Sequence, residues 1–296
     1  MNEITLDEFL ESLNVNIPAL KDFEKLADMT GLFQNPLNQE WIKLNYERGL
    51  LLYGIISKYK PKNVLEFGTA KGYATLCMAW AMDDNDIDGK IFTIDPLSLD
   101  EKKEHTIKDP FKNEIISKNI SVKGLWKKIA KQTWIDKITP LCGYSGEIMQ
   151  KQLLPKIDFA YIDGAHFFRG VQHDFYSLIE HLNPNFSILF DDYIDRPQYG
   201  IKQLIDNELS PHFDIKLIKT DTKNYLKKIF NLSDSLYGMC FLDSTSLQTS
   251  IHEIFPRNER EKIISEYLKF ENRLKRRYSI NKKLPFLKNM KFQFWK

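Results

Sequence analysis

Val64-Leu65-Glu66-Phe67-Gly68-Thr69-Ala70-Lys71-Gly72-Tyr73-Ala74-Thr75 is an apolar strand pattern that runs into a glycine turn and opens a helical pattern. Gly68 and Gly72 put residues without bulk at the strand end and the helix start, where a backbone passes close to a ligand. A dinucleotide fingerprint would need glycines at 68, 70 and 73, and the chain has Gly68, Ala70 and Tyr73. A phosphate loop would need Gly-Lys-Ser/Thr, and here Gly72 precedes Tyr73. What remains, Glu-x-Gly-x-x-x-Gly, reads as a loop for a nucleoside cofactor or as a plain strand-to-helix turn.

Around this bend the texture is that of alternating strands and helices. Val64 to Phe67, Lys90 to Ile94, Ile138 to Leu141, Ile157 to Ile162 and Ser187 to Phe190 are short apolar runs separated by amphipathic stretches. Such alternation predicts a Rossmann-like, doubly wound α/β fold, its mostly parallel sheet covered by helices on both faces. Phe213 to Ile218 and Leu236 to Leu242 add two last strands, which makes seven with the last antiparallel, joined by a lysine-rich stretch that suits a hairpin or loop. Residues 1–60 carry apolar positions at helical spacing (Phe9, Leu10, Leu13; Leu50, Leu51, Ile55), with Pro61 as the stop, and predict a helical extension. The sheet domain covers 61–245. Its connection from Asp95 to Ile138 exceeds the roughly 10 to 15 residues of a crossover helix, so residues 97–136 read as an insertion beside the ligand-binding edge or as an ordinary helix with a long surface loop.

At 296 residues the chain can bury one generous core, and no apolar run approaches the ~18 residues of a membrane span. Its start is acidic where a secretory signal would be basic and then apolar, so the expected location is cytoplasmic. Cys77, Cys142 and Cys240 lie far apart without a C-x-x-C pair, which predicts buried free thiols rather than disulfides or a zinc site. The net charge of +2 hides an asymmetry, because residues 252–296 hold thirteen Lys/Arg against five Asp/Glu. Residues 246–296 read as a basic helix and tail; the aromatic-rich part, 272–296, is a candidate for contact with a membrane surface or a polyanion, or a plain solvated terminus. No nucleic-acid partner is expected, and self-association stays open.

In open parallel sheets ligands bind beyond the carboxyl ends of the strands. The second strand ends at Asp95, spaced from Gly72 as an acid for ribose hydroxyls should be. The third leads into Gly143-Tyr144-Ser145, where Ser145 caps the next helix, meets an adenine, or both. The fourth runs into Asp163-Gly164-Ala165-His166 and the fifth into Asp191-Asp192-Tyr193, so three carboxylates share one rim. Such a cluster is costly without a cation, and all-oxygen ligation suits Mg²⁺, Mn²⁺ or Ca²⁺; alternatively Asp163 bonds its own turn and Asp191 or Asp192 caps a helix. His166 faces the same rim and is the candidate general base.

With these residues in view, the stretch from about Asn63 to about Asn207 resembles the class I S-adenosylmethionine (SAM) methyltransferases. Within them it is similar to the metal-dependent sugar O-methyltransferases of the macrocin and mycinamicin type, near the cephalosporin-hydroxylase-like group. The resemblance is carried by Glu66 to Tyr73, by Tyr161-Ile162-Asp163-Gly164-Ala165-His166 and by Leu189-Phe190-Asp191-Asp192-Tyr193. It implies SAM held by Glu66 (at the methionine end), Gly68, Thr69, Ala70, Gly72, Asp95, Tyr144, Ser145 and Asp163, and Mg²⁺ held by Asp163, Asp191 and Asp192. It further implies that His166 takes the proton of a sugar hydroxyl on a small molecule or glycan. Two departures stand out: Ala165 where some relatives have an aspartate base, and Tyr144 where an acid often follows the glycine. Tyr193, Arg196 and Tyr199 suit a lid over such an acceptor. The competing readings are an amine or catechol methyltransferase, a hydroxylase-like relative, and a non-catalytic SAM-binding scaffold in glycan assembly.

Overall fold

The computed structural model describes residues 1–34, 41–43, 46–109, 114–196, 198–220, 237–247 and 249–283. The chain begins with β1 (Asn2–Thr5), α1 (Leu6–Leu13) and α2 (Leu20–Thr30), forms a small ribbon of β2 (Leu32–Gln34) and β3 (Trp41–Lys43), and enters α3 (Glu47–Tyr59). A capping box sets the start of α1, Thr5 accepting from the Glu8 amide while Glu8 accepts from the Thr5 amide. Then come β4 (Asn63–Phe67), α4 (Tyr73–Asp84) and β5 (Lys90–Asp95). The insertion follows as a hairpin of β6 (Lys103–Lys108) and β7 (Ile115–Ile120) with α5 (Val122–Ile129) and α6 (Gln132–Ile135). The second half holds β8 (Ile138–Cys142), α7 (Ser145–Lys151), β9 (Ile157–Ile162), α8 (Phe168–Ile179), β10 (Leu182–Ile194), α9 (Ile201–Leu204), β11 (Ile215–Lys219) and β12 (Tyr237–Asp243). A helix over Arg257–Lys283 ends the described chain.

The main sheet has the order β1-β11-β12-β10-β9-β4-β5-β8. Strands β8, β5, β4, β9 and β10 are parallel neighbours, and β12 runs antiparallel to both β10 and β11. The predicted doubly wound sheet is thus present, and one strand more: β1, from a segment expected to be helical, pairs parallel with β11. The lysine-rich stretch between β11 and β12 lies outside the described residues.

Strict alternation along the strands sorts the side chains onto two faces. Phe159, Tyr161 and Leu189 join one apolar cluster with Leu51, Leu52, Ile55 and Leu76 of α3 and α4. Ala160, Ile162, Ile188 and Phe190 join the other, with Phe175 and Leu178 of α8. Phe9, Leu13 and Phe23 belong to the first cluster, so the N-terminal helices share the core of the sheet. The C-terminal helix docks on the opposite face: Arg260 is buried against Glu180 (2.7 Å), and Tyr267 stacks on His173 with ring centroids 4.2 Å apart. Residues 284–296 of the expected tail lie outside the described residues. Among the described residues no helix is long and apolar enough to cross a membrane. Cys77 and Cys240 are buried free thiols as expected, whereas Cys142, at the end of β8, is exposed.

Candidate active site

The parallel strands deliver their carboxyl ends to one rim, and the first element there is the glycine bend. Gly68 and Gly72 have φ of +94° and +85°, the left-handed region that favours glycine. A Cβ at Gly68 would collide with the Asp163 carbonyl oxygen, and one at Gly72 would lie 2.5 Å from the Trp126 indole. Both glycines therefore let other parts of the chain approach the backbone closely on the side where a Cβ would stand. The cause at Gly72 is the insertion, whose helix α5 brings Trp126 to donate through Nε1 to the Lys71 carbonyl at 2.9 Å.

Asp95 braces the bend. Its Oδ2 accepts from the amides of Thr69 (3.1 Å) and Ala70 (2.9 Å), and its Oδ1 accepts from Leu97 (2.8 Å). A cleft of about 80 Å³, smaller than a nucleoside, opens beside it between Thr69, Asp95, Leu97, Ser98, Leu141 and Cys142. A larger cleft of about 340 Å³ lies at the other end of the strands, around Lys62, Asp158 and Asp243, away from the acidic rim. Glu66 is fully buried, and its Oε2 accepts from Thr75 (2.6 Å) and Thr93 (2.5 Å) while its Oε1 has no hydrogen-bond partner. Burial pushes its carboxyl up to about 7, against the pull of those two hydroxyls. Glu66 thus knits the strands under the bend, and its unsatisfied oxygen is the one feature that calls for a further donor there.

Tyr144 stands at the start of α7 with the Lys275 ammonium 5.0 Å from its ring centre. Ser145 does not cap that helix; it donates to Asp174 at 2.6 Å. The first turn of α7 is satisfied from the C-terminal helix, where buried Glu271 accepts from the Gly146 amide at 3.0 Å.

The three aspartates separate into two groups. Asp163 and Asp191 share the parity of Tyr161 and Leu189 and face α3, where the Arg48 Nη1 bonds Asp163 Oδ2 and lies 3.1 Å from Asp191 Oδ2. Tyr161 donates to Asp191 Oδ2 at 2.9 Å, and its oxygen is also 3.3 Å from Asp163 Oδ2 and 3.4 Å from Arg48 Nη1. Burial works to lower the Arg48 pKa, but Tyr161, Asp163 and Asp191 outweigh it, so the guanidinium is permanently charged. Burial raises the carboxyl pKa of Asp163 and of Asp191, and Arg48 opposes it in both.

Asp192 takes the left-handed conformation (φ 55°) at an irregularity of β10 and turns to His166, whose Nδ1 is 3.0 Å from Asp192 Oδ2. That hydrogen bond raises the half-exposed imidazole to about 9, against partial burial. Tyr199 lies beside His166 with ring centroids 5.6 Å apart, and Arg196 borders it. Tyr193 is different from the lid residue expected, because the same irregularity turns it into the core, where its hydroxyl donates to Asp206 at 2.8 Å.

The expected metal set, Asp163, Asp191 and Asp192, does not fit one ion here, since Asp191 is engaged by Arg48, by Tyr161 and by the Asp192 amide (2.8 Å). Asp163, His166 and Asp192 do fit on distance, each offering one ligand atom within 4.8 Å of the others. Arg48 went unnoticed in the sequence because it lies 115 residues from Asp163, on a helix read only as a preamble.

Residues 65–193 match the sequence family described as a methyltransferase domain. None of the curated proteins matches the chain significantly. Among solved structures, the chain is similar to an O-methyltransferase from Bacillus cereus in complex with S-adenosylhomocysteine (14% identity, 80% of this chain, 96% of that one, TM-score 0.49). It is also similar to an O-methyltransferase of tomaymycin synthesis from Streptomyces achromogenes in complex with SAM (16% identity, 80% and 94%, TM-score 0.49). A methyltransferase from Podospora anserina bound to S-adenosylhomocysteine is a third (14% identity, 80% and 92%, TM-score 0.45).

Proposed function

We propose that the chain is a SAM-dependent O-methyltransferase in which His166 takes the proton from the acceptor hydroxyl. The observation that carries this reading is the His166–Asp192 pair, 3.0 Å apart, on the acidic rim next to the glycine bend and inside the stretch matched by the methyltransferase-domain family. Asp95 and the bend are the groups available to ribose hydroxyls and to the amino-acid end of the cofactor, with Glu66 Oε1 as the acceptor beneath. SAM, when bound, supplies a sulfonium methyl carbon that forms a bond to the acceptor oxygen as its bond to sulfur breaks, the bonding pair staying on sulfur. The chain's part is to orient the hydroxyl and to receive its proton. Since His166 Nδ1 holds Asp192, Nε2 is the nitrogen free of that pair and receives the proton, the positive charge then being offset by the Asp192 carboxylate. A sugar hydroxyl is the acceptor we favour; the support is the family resemblance and the placement of Tyr199 beside His166, with the Arg196 charge acting on Tyr199, an aromatic and a cation suited to a polyhydroxyl ligand.

A second reading rests on the same distances: a divalent ion held by Asp163, His166 and Asp192 would acidify the hydroxyl, and His166 would be its ligand rather than the base. Methyl transfer from labelled SAM into a panel of glycosides, with Mg²⁺ and with chelator, tests both. Under the first reading H166A abolishes turnover but leaves SAM binding by calorimetry, and chelator changes neither. Loss of wild-type turnover with chelator favours the second, and full turnover in H166A refutes both.

A further inference from the structure

We infer that Arg48 is the built-in counter-cation of the acidic rim: a positioning residue that holds Asp163 and Asp191 together and takes the place between them that a metal ion would otherwise occupy. One guanidinium nitrogen, Nη1, faces three oxygens from the ends of two neighbouring strands: Asp163 Oδ2, Asp191 Oδ2 at 3.1 Å and the Tyr161 hydroxyl at 3.4 Å. Convergence of two carboxylates and a phenol on one point is the surrounding of a hard cation, and here a side chain fills it. The alternation along β9 and β10 explains the choice of partner. Tyr161 and Asp163 point to the same face, as do Leu189 and Asp191, and that face is covered by α3.

The delivery is rigid. Arg48 sits in the first turn of α3, which is anchored by fully buried Leu51, Leu52 and Ile55. Asp191 and Arg48 keep only 2% and 20% of their side-chain surface, so their attraction is weakly screened, and the weakly hydrated, planar guanidinium tolerates that setting better than an ammonium. The N-terminal extension therefore completes the rim. By fixing Asp163 on one side, Arg48 also fixes the strand end from which the loop to His166 departs. This part of the inference rests on the proposed chemistry, but the occupancy of the Asp163–Asp191 position does not.

The test uses the full chain without SAM or acceptor and Mn²⁺ as the probe, its binding followed by electron paramagnetic resonance. Whatever Mn²⁺ the wild type takes up at Asp163, His166 and Asp192, D191N should leave its affinity within about twofold. R48M should gain a Mn²⁺ site at least tenfold tighter than any in the wild type, which the double variant R48M/D191N loses and which millimolar guanidinium displaces. A tenfold loss of Mn²⁺ affinity in D191N alone would place the ion against Asp191 and overturn the inference, as would a folded R48M that gains no site. Should R48M fail to fold, the D191N arm decides. None of these readouts requires methyl transfer, so failure here leaves the proposed function standing.

Discussion

Replacing Asp192 by Asn tests how the rim sets the protonation of His166. The change is conservative in shape, and asparagine tolerates the left-handed backbone (φ 55°) that Asp192 adopts, so the peptide bond to Asp191 can stay in place. The hydrogen bond to Asp192 is the largest contribution to the imidazole pKa of about 9, and its charge adds a further one. A base must be neutral to accept a proton. With a pKa near 9 only about 3% of His166 is neutral at pH 7.5, against roughly 90% at the ordinary value near 6.5. Asp163 and Asp191, which also raise the imidazole, are unchanged in the variant, so we expect the titration to fall by about one to two pH units rather than all the way. The neutral fraction at pH 7.5 then rises roughly ten- to twenty-fold. The cost is orientation, since the ring loses a charged acceptor, and we expect the high-pH plateau of the rate to drop by at least about tenfold. The assay is the Cε1 proton resonance of His166 followed from pH 6 to 10, assigned by its absence in H166Q. The rate of S-adenosylhomocysteine formation over the same range should rise with pH in the wild type, pass half its plateau near 9 and level off above it. A resonance that titrates at the same pH in D192N and wild type would refute the pairing.

Two further outcomes follow from buried carboxylates. Glu66 is fully buried with its pKa raised from 4.5 to about 7, so the protonated form is the one that favours folding: its contribution is complete below about 4.5 and is lost as pH rises through 7. The shift is worth about 3 kcal/mol, and E66Q, which cannot ionise, should remove that fall between pH 5 and 8 in urea denaturation, whereas an unchanged fall would rule out this group as its source. On the C-terminal helix, E271A leaves the Gly146 amide without its acceptor and Lys275 without one of its two carboxylates. We expect a loss of about 1–3 kcal/mol in stability and faster hydrogen exchange at Gly146, while equal exchange would mean that the helix does not hold α7 in solution.

Much of the fold was legible because the relevant signals are local. Apolar runs bounded by glycine or acid marked the five parallel strands, and the overlong connection after Asp95 announced an insertion, which proved to be a hairpin with two helices. What escaped depends on contacts distant in sequence. Nothing in Asn2-Glu3-Ile4-Thr5 says that it will extend an edge 214 residues away, and the mixed polarity of Glu266 to Lys275 hides that its Tyr267 and Glu271 are buried against α7 and α8. The glycines illustrate the same limit. Their backbone conformation was predictable, but what approaches them, the Asp163 carbonyl and the Trp126 ring, was set by the insertion and by the neighbouring strand.

The division of the aspartates, by contrast, was within reach of the sequence and follows from the period of a strand. Residues two apart share a face, so Tyr161 with Asp163 and Leu189 with Asp191 belong to the α3 side, while Asp192, next in line, must turn away. A cluster read as three equivalent carboxylates is therefore divided by direction: Asp191, buried, and Asp163, partly exposed, face α3, while Asp192, exposed to about the same degree as Asp163, faces His166. The pair that faces α3 meets a weakly hydrated cation, which that helix supplies as arginine; Asp192 shares a titratable proton carrier, which a loop supplies as histidine. The irregularity between Phe190 and Tyr193 acts past that division: it reverses the parity that follows and buries Tyr193 against Asp206. A regular strand in its place would give Tyr193 the parity of Asp191 and send it to the α3 face, out of reach of the Asp206 carboxylate that accepts from its hydroxyl.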